Sequence, residues 1–265
     1  MIPDLAITSL ETITGFSKAG DFLFQLDELQ NAAINNTQEK VDITGKHGRK
    51  LNSLKRNKAV TVTGTNGLLS LSLMAADAGA DVTMNNDAGH LYMWWETVTV
   101  GEGNSASTTY TAVGTAGAEI AAAYIKNENG TLGATLSQNA EVAQGQFTYS
   151  PSTKILKFNN DIPAGSEVVV YYKRNIPSAT IVSNNSNNYS KKCTLYIDAL
   201  AEDKCNNLYR VQFVIFTADF SGNFNIEMGD NPTVHSFEAE ALASGCTSDG
   251  KFWDLIIIGE AAKDA

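Results

Sequence analysis

The sequence predicts a mainly β protein: an antiparallel β-sandwich or barrel with one flanking α-helix and a small β-sandwich module inserted into the chain. Three observations predict it. Apolar residues alternate with polar ones over most of the last third of the chain, as in Leu195, Ile197 and Ala199 against Thr194, Tyr196 and Asp198. Strand-like runs are separated by little except Gly, Asn, Asp and Ser turn chemistry. Of 265 residues, 43% are hydrophobic and only 18% charged, so the chain is globular and long enough for one large core plus a smaller one.

In chain order, residues 5–13 alternate as a strand and residues 22–29 form a second. Residues 31–52 are polar and long for a loop, and such loops tend to be functional. Within them residues 41–44 are expected to pair with residues 51–54, making a hairpin whose tip is Lys46, His47, Gly48 and Arg49. Residues 59–63 are a strand by propensity. Residues 68–80 satisfy two periods, since Leu69, Leu71 and Leu73 alternate while Leu68, Leu71, Ala75 and Ala78 fall on one helical stripe. Asn66 as N-cap and Gly79 as terminator favour the helix.

Residues 90–100 read as a strand, after which 101–117 contain almost no large apolar side chain and read as a weak linker or an exposed loop. Strands are then expected at 119–126 and 131–136 about an Asn-Gly turn, at two short pieces of 147–158 about a turn at 150–153, and at 167–174. Together these pieces predict an inserted module, 101–177, between the two parts of a core, 1–100 and 178–265.

The last third holds four strands. Residues 193–200 turn at 203–207 into 208–220, which is rich in aromatic and β-branched residues. Residues 234–242 place Val234, Ser236, Glu238 and Glu240 on one face and His235, Phe237, Ala239 and Ala241 on the other. Residues 252–259 are apolar on both faces and are therefore expected to lie centrally in the sheet.

The net charge of −10 speaks against a general nucleic-acid binder. It is unevenly placed: residues 40–58 carry seven basic residues (Lys40, Lys46, Arg49, Lys50, Lys55, Arg56, Lys58) and one acid, and the rest of the chain 12 basic and 28 acidic. A basic arm on an acidic body suits self-association, although a solvated loop has the same composition. Cys193, Cys205 and Cys246 are an odd number without metal spacing and are expected to be free, with Cys193 and Cys205 the one pair to check. No run of about 18 apolar residues and no secretory leader pattern is present, so a soluble protein is expected.

Sites of chemistry are sparse. His47, His90 and His235 stand apart, and there is no GxSxG, P-loop or HExxH pattern. Glu238 and Glu240 share a strand face as glycosidase carboxylates do, yet sheet alternation alone produces such pairs. Asp81, Asp87 and Asp230 sit in turns that suit calcium, and turn formation explains them equally well. Of Trp94 and Trp95 only one can serve any single platform, because neighbours on a strand face opposite ways. The expectation is a non-enzyme without cofactor or metal.

With these residues laid out, the chain resembles the major tail tube proteins of tailed bacteriophages. The likeness lies in the run from Val41 through Gly45, Lys46 and Arg49 to the strand at 59–63, in the helix after it, and in 233–242 with 252–258. It covers about 1–100 and 178–265, while the middle module is similar to the immunoglobulin-like insertions of phage structural proteins. The resemblance implies six copies joining their sheets into an inner barrel, with rings stacked around a DNA channel. It implies a hairpin arm reaching a neighbouring ring, for which Lys40, Lys46, Arg49, Lys50, Lys55, Arg56 and Lys58 are the candidates. It also implies an acidic lumen, with Glu238 and Glu240 as candidates. The implied partners are further copies, tape measure, tail terminator and baseplate proteins, with genomic DNA passing unbound and no membrane; the place is the virion tail, assembled in the host cytoplasm. Two other readings stay open: a carbohydrate-binding or adhesive virion module using Trp94, Trp95 or Tyr171, and a phage head or decoration protein.

Overall fold

A computed structural model describes residues 4–85, 89–226, 228–229, 234–243 and 250–258. The chain divides into two compact units, one formed by Met1–Val82 with Val182–Ala265 and the other by Thr83–Ile181.

The first unit is one curled antiparallel sheet. Its strands are β1 (Leu5–Ser17), β2 (Phe22–Leu26), β3 (Leu29–Thr44) and β4 (Lys50–Asn66), followed by helix α1 (Leu71–Asp77). Further along the chain, β14 (Lys192–Asp203), β15 (Leu208–Phe220), β16 (His235–Ala241) and β17 (Trp253–Ile258) complete it. The strands lie in the order β2-β1-β14-β15-β16-β4-β3, and β17 pairs with β15 off that path. Curling brings β1 to face β3, so the sheet is a half-barrel with its apolar side inward. Two register shifts in β1, at Ile7/Ser9 and Leu10/Thr12, are bulges that keep Ile7, Leu10 and Ile13 on that side. Glycine does the same by size: a Cβ at Gly15 would strike the Phe24 ring, and one at Gly64 the Phe237 ring.

The core joins Ile13, Phe24, Val62, Leu195, Ile215 and Phe237, and Leu73 and Ala76 of α1 press onto it. Ser70 starts the helix, its hydroxyl accepting from the Leu73 N–H at 3.3 Å. Asn66 is therefore not the cap; it ends β4, where its Nδ2 donates to the Leu68 carbonyl. The helix stops as read, because Gly79 has φ of 65° and packs against the Tyr189 backbone too closely for any side chain.

Two further readings change. The polar stretch at 31–40 is strand, part of β3, and pairs with β4 through residues 29–44 into a hairpin closed by a 3-10 turn at Lys46–Gly48. It reads as loop because its distal half meets water on both faces and has no apolar side to alternate with. The strand β17 is not central: among the described residues it pairs with β15 alone, and Leu255, Ile256, Ile257 and Ile258 are 38–52% exposed. An apolar run records that something covers it, without saying that the cover is the same chain.

The second unit contains β6 (His90–Thr99), β7 (Ser105–Ser107), β8 (Ile120–Lys126), β9 (Leu132–Gln138), β10 (Gln146–Ser150), β11 (Ile155–Phe158) and β12 (Glu167–Ile176). Their order is β6-β12-β8-β9-β10-β11-β7, antiparallel apart from β9 with β10. Val98, Val168 and Val170 from one end of this order share a core with Phe147, Leu156 and Phe158 from the other, so the sheet folds into two layers. Residues 101–117 are not a loose linker. Tyr172, fully buried, donates its hydroxyl to Glu96 at 2.5 Å, while the backbone N–H groups of Thr109 and Ala112 donate to Glu96 and the Tyr149 hydroxyl. A further pair, β5 (Val82–Asn85) with β13 (Ala179–Val182), forms where the chain passes between the units.

Candidate assembly surfaces

The β3–β4 hairpin runs beyond the sheet as a two-stranded arm, because from Glu39 outward neither strand has another partner among the described residues. Cross-strand partners share a face, so alternation sorts the arm into two sides. Val41 opposite Leu54, and Ile43 opposite Asn52, make one side; Lys40 opposite Lys55, and Asp42 opposite Ser53, make the other. Val41, Ile43 and Leu54 are 36–53% exposed, an apolar stripe that the chain itself leaves uncovered.

All seven basic candidates lie on this hairpin and are exposed. Lys50 Nζ pairs with Asp42 at 2.6 Å and Arg56 with Glu39 at 3.2 Å. The Lys50 ammonium holds the Asp42 carboxyl below the usual carboxylate range. Lys58 stands 5.7 Å over the Phe252 ring, which braces the base of the arm against the last strand. No ion pair is formed by Lys40, Lys46, Arg49 or Lys55 among the described residues, so the tip and one side of the arm keep an excess of positive charge.

Glu238 and Glu240 are brought together on the outer face of β16, with His235, Phe237, Ala239 and Ala241 buried behind them. Their cross-strand neighbours are Thr63 and Thr61 of β4, and Glu240 also faces Asp219 of β15. Lys192 pairs with Asp219 at 3.0 Å. The surface is therefore a field of threonine hydroxyls and carboxylates.

The other candidates scatter. Cys193 is buried on β14, where burial and the neighbouring Asp77 charge push its thiol up to about 12, whereas Cys205 lies exposed in the 203–207 turn. Both are free; Cys246 falls outside the described residues. Asp81 is occupied by Lys191 at 2.5 Å, and Asp87 and Asp230 fall outside the described residues. Among the described residues no three His, Cys, Asp or Glu side chains converge as metal donors. Trp95 is 62% exposed, opposite Tyr171, while Trp94 is half-buried with the Arg174 guanidinium over its ring. Tyr171 and Tyr124 meet edge to face at 84°, so they make no flat pair for a sugar ring. No helix is long and apolar enough to cross a membrane.

Sequence reasoning missed one surface. An open concavity of about 480 Å³ lies inside the half-barrel between β1 and β3, lined by Ile7, Leu10, Ala32, Ile34, Phe213 and Trp253 among others. Its residues come from strands far apart in sequence, and only the curl of the sheet assembles it.

A mainly β chain whose first sheet ends in strands paired on one side only among the described residues, with a hairpin projecting from it, has the features of a structural subunit. Residues 6–253 match the family model of the YomU/Tube protein family, and the chain belongs to that family. The match supports a tube-type structural protein of phage, a component of the virion tail. No curated protein matches the chain.

Proposed function

We propose that the chain is the major tail tube subunit of a tailed phage, forming hexameric rings that stack around a channel through which the genome passes. The observation that carries this reading is the set of open strand edges in a chain of the tube family: β2 at one end of the first unit's sheet, β3 at the other, and the apolar β17, which pairs with β15 off that path. Exposed edges of this kind invite pairing, and ring closure is a way of satisfying every one of them without open-ended growth. Stacking then makes a tube of fixed bore.

In this reading the face bearing Glu238, Glu240, Thr61 and Thr63 lines the channel. Carboxylates repel DNA phosphates, and the absence of a lysine or arginine array denies the genome the contacts that give nonspecific binding its strength. The basic arm reaches the adjoining ring, and tape measure, terminator and baseplate proteins meet the tube at its bore and ends. The second unit is an immunoglobulin-like module, and assembly takes place in the host cytoplasm before the tail joins the virion. The protein works without catalysis.

The lumen assignment is tested by Glu238→Lys with Glu240→Lys. Both side chains are exposed, so the subunit should fold and assemble as before. Genome delivery from otherwise intact particles should fall at least about tenfold, since each ring would present twelve cations to passing phosphates. Delivery at the normal rate would remove these residues from the channel.

A further inference from the structure

We propose that the concavity inside the half-barrel is the receiving site for the arm of a second copy, with the Val41, Ile43 and Leu54 stripe seated against Ile7, Leu10, Ile34 and Trp253. This rests on the tail tube reading and adds to it the surface on which the arm lands.

Two apolar features of one chain are left open, and neither is covered by the described residues of its own chain. The arm cannot turn back onto the groove beside it. Asn36 lines the groove, and Val41 lies five residues further along the same unbroken strand, about 17 Å away at ~3.3 Å per residue. By alternation along β3, Val41 and Ile43 also lie on the opposite face from Ala32 and Ile34. The groove of another copy suffers neither restriction. An arm of one copy in the groove of the next is a head-to-tail contact, which propagates along a stack as ring-to-ring joining requires.

Charge favours the same occupant. The arm region, residues 40–58, holds seven basic residues and one acid. The rest of the chain, which provides the groove, holds 12 basic and 28 acidic residues. Polar Asn31 and Asn36 stand at the groove's β3 side, where Asn36 Oδ1 accepts from Trp253 Nε1 at 3.3 Å, so Trp253 is held at the rim of the site. A basic ribbon with an apolar stripe fits an apolar trough on an acidic body, and the opposite charges steer one copy's arm toward another copy's body.

The test is disulfide trapping. In a chain carrying Cys205→Ser and Cys246→Ser, Ile7→Cys and Leu54→Cys put one thiol in the groove and one on the arm; both positions are exposed, and the remaining Cys193 is buried. After assembly and mild oxidation, a non-reducing gel should show a ladder of linked chains that neither single-cysteine variant gives. Tubes without a ladder would overturn the docking site and leave the tail tube reading standing, and a link closed within one chain would overturn it too. A chain that stays dispersed even when supplied with a baseplate to nucleate it would overturn both. Should the cysteine variant not fold, Trp94→Phe with Trp95→Phe leaves Trp253 as the sole indole. Its emission should shift to the blue on assembly as the arm covers it, and an unmoved emission would overturn the proposal.

Discussion

Asp77 and His235 lie in the interior of the first unit and pull its stability in opposite directions with pH. Asp77 is 2% exposed, and neither carboxylate oxygen has a hydrogen-bond partner among the described residues. Burial raises its pKa to about 7. Its folded pKa lies above the unfolded one, so between about pH 4 and 7 the native state holds a proton the unfolded chain has released; stability therefore falls as pH rises through that window. His235 is fully buried, and burial lowers its pKa. Below pH ~6.5 the unfolded chain takes up a proton that the native imidazole refuses, so this contribution to stability is lost as pH falls through the folded pKa. Urea titrations across pH 4–8 should show Asp77→Asn removing the loss toward pH 7, at most about 1.4 kcal/mol per pH unit, and His235→Asn removing the opposite slope below pH ~6.5. Parallel curves for the wild type and both variants would contradict the burial that explains them. The sequence places His235 on the face of Phe237 and Ala239, so its burial was legible from alternation. Asp77 was not, because a carboxylate on a short helix reads as a solvated residue until the tertiary fold closes over it.

At the scale of elements, strand period and turn chemistry made most of the sheet readable. The alternation in β14 and β16 is reproduced residue for residue in their burial. The arm was legible at its tip and its Val41 and Leu54 pairing, but not in its length, because β3 and β4 contribute 16 and 17 residues with few apolar side chains beyond the sheet. The misplaced strand was β17, whose four exposed apolar residues look like core when the sequence is considered as a single molecule. Ile256→Thr with Ile258→Thr tests what covers it. Each residue is exposed in the chain alone, so the subunit's folding stability should change by no more than about 0.5 kcal/mol per site. The concentration needed for assembly should rise tenfold or more, as light scattering would report. A large loss of subunit stability with unchanged assembly would put β17 in the chain's own core.

At the scale of the whole molecule, a basic arm, an acidic sheet face and strands paired on one side only are the features on which the proposed self-assembly rests. The charge asymmetry and the resemblance to tube proteins were both visible in the sequence. The concave groove and the pairing of β17 with β15 alone among the described residues were not, since both depend on how strands distant in sequence are ordered across one sheet. The most direct measurement is negative-stain electron microscopy of the purified chain at rising concentration, with light scattering on the same samples. Stacked six-fold rings or hollow tubes of uniform bore are the predicted result. Closed shells, or a chain that remains monomeric even when supplied with a baseplate to nucleate it, would contradict the tail tube reading.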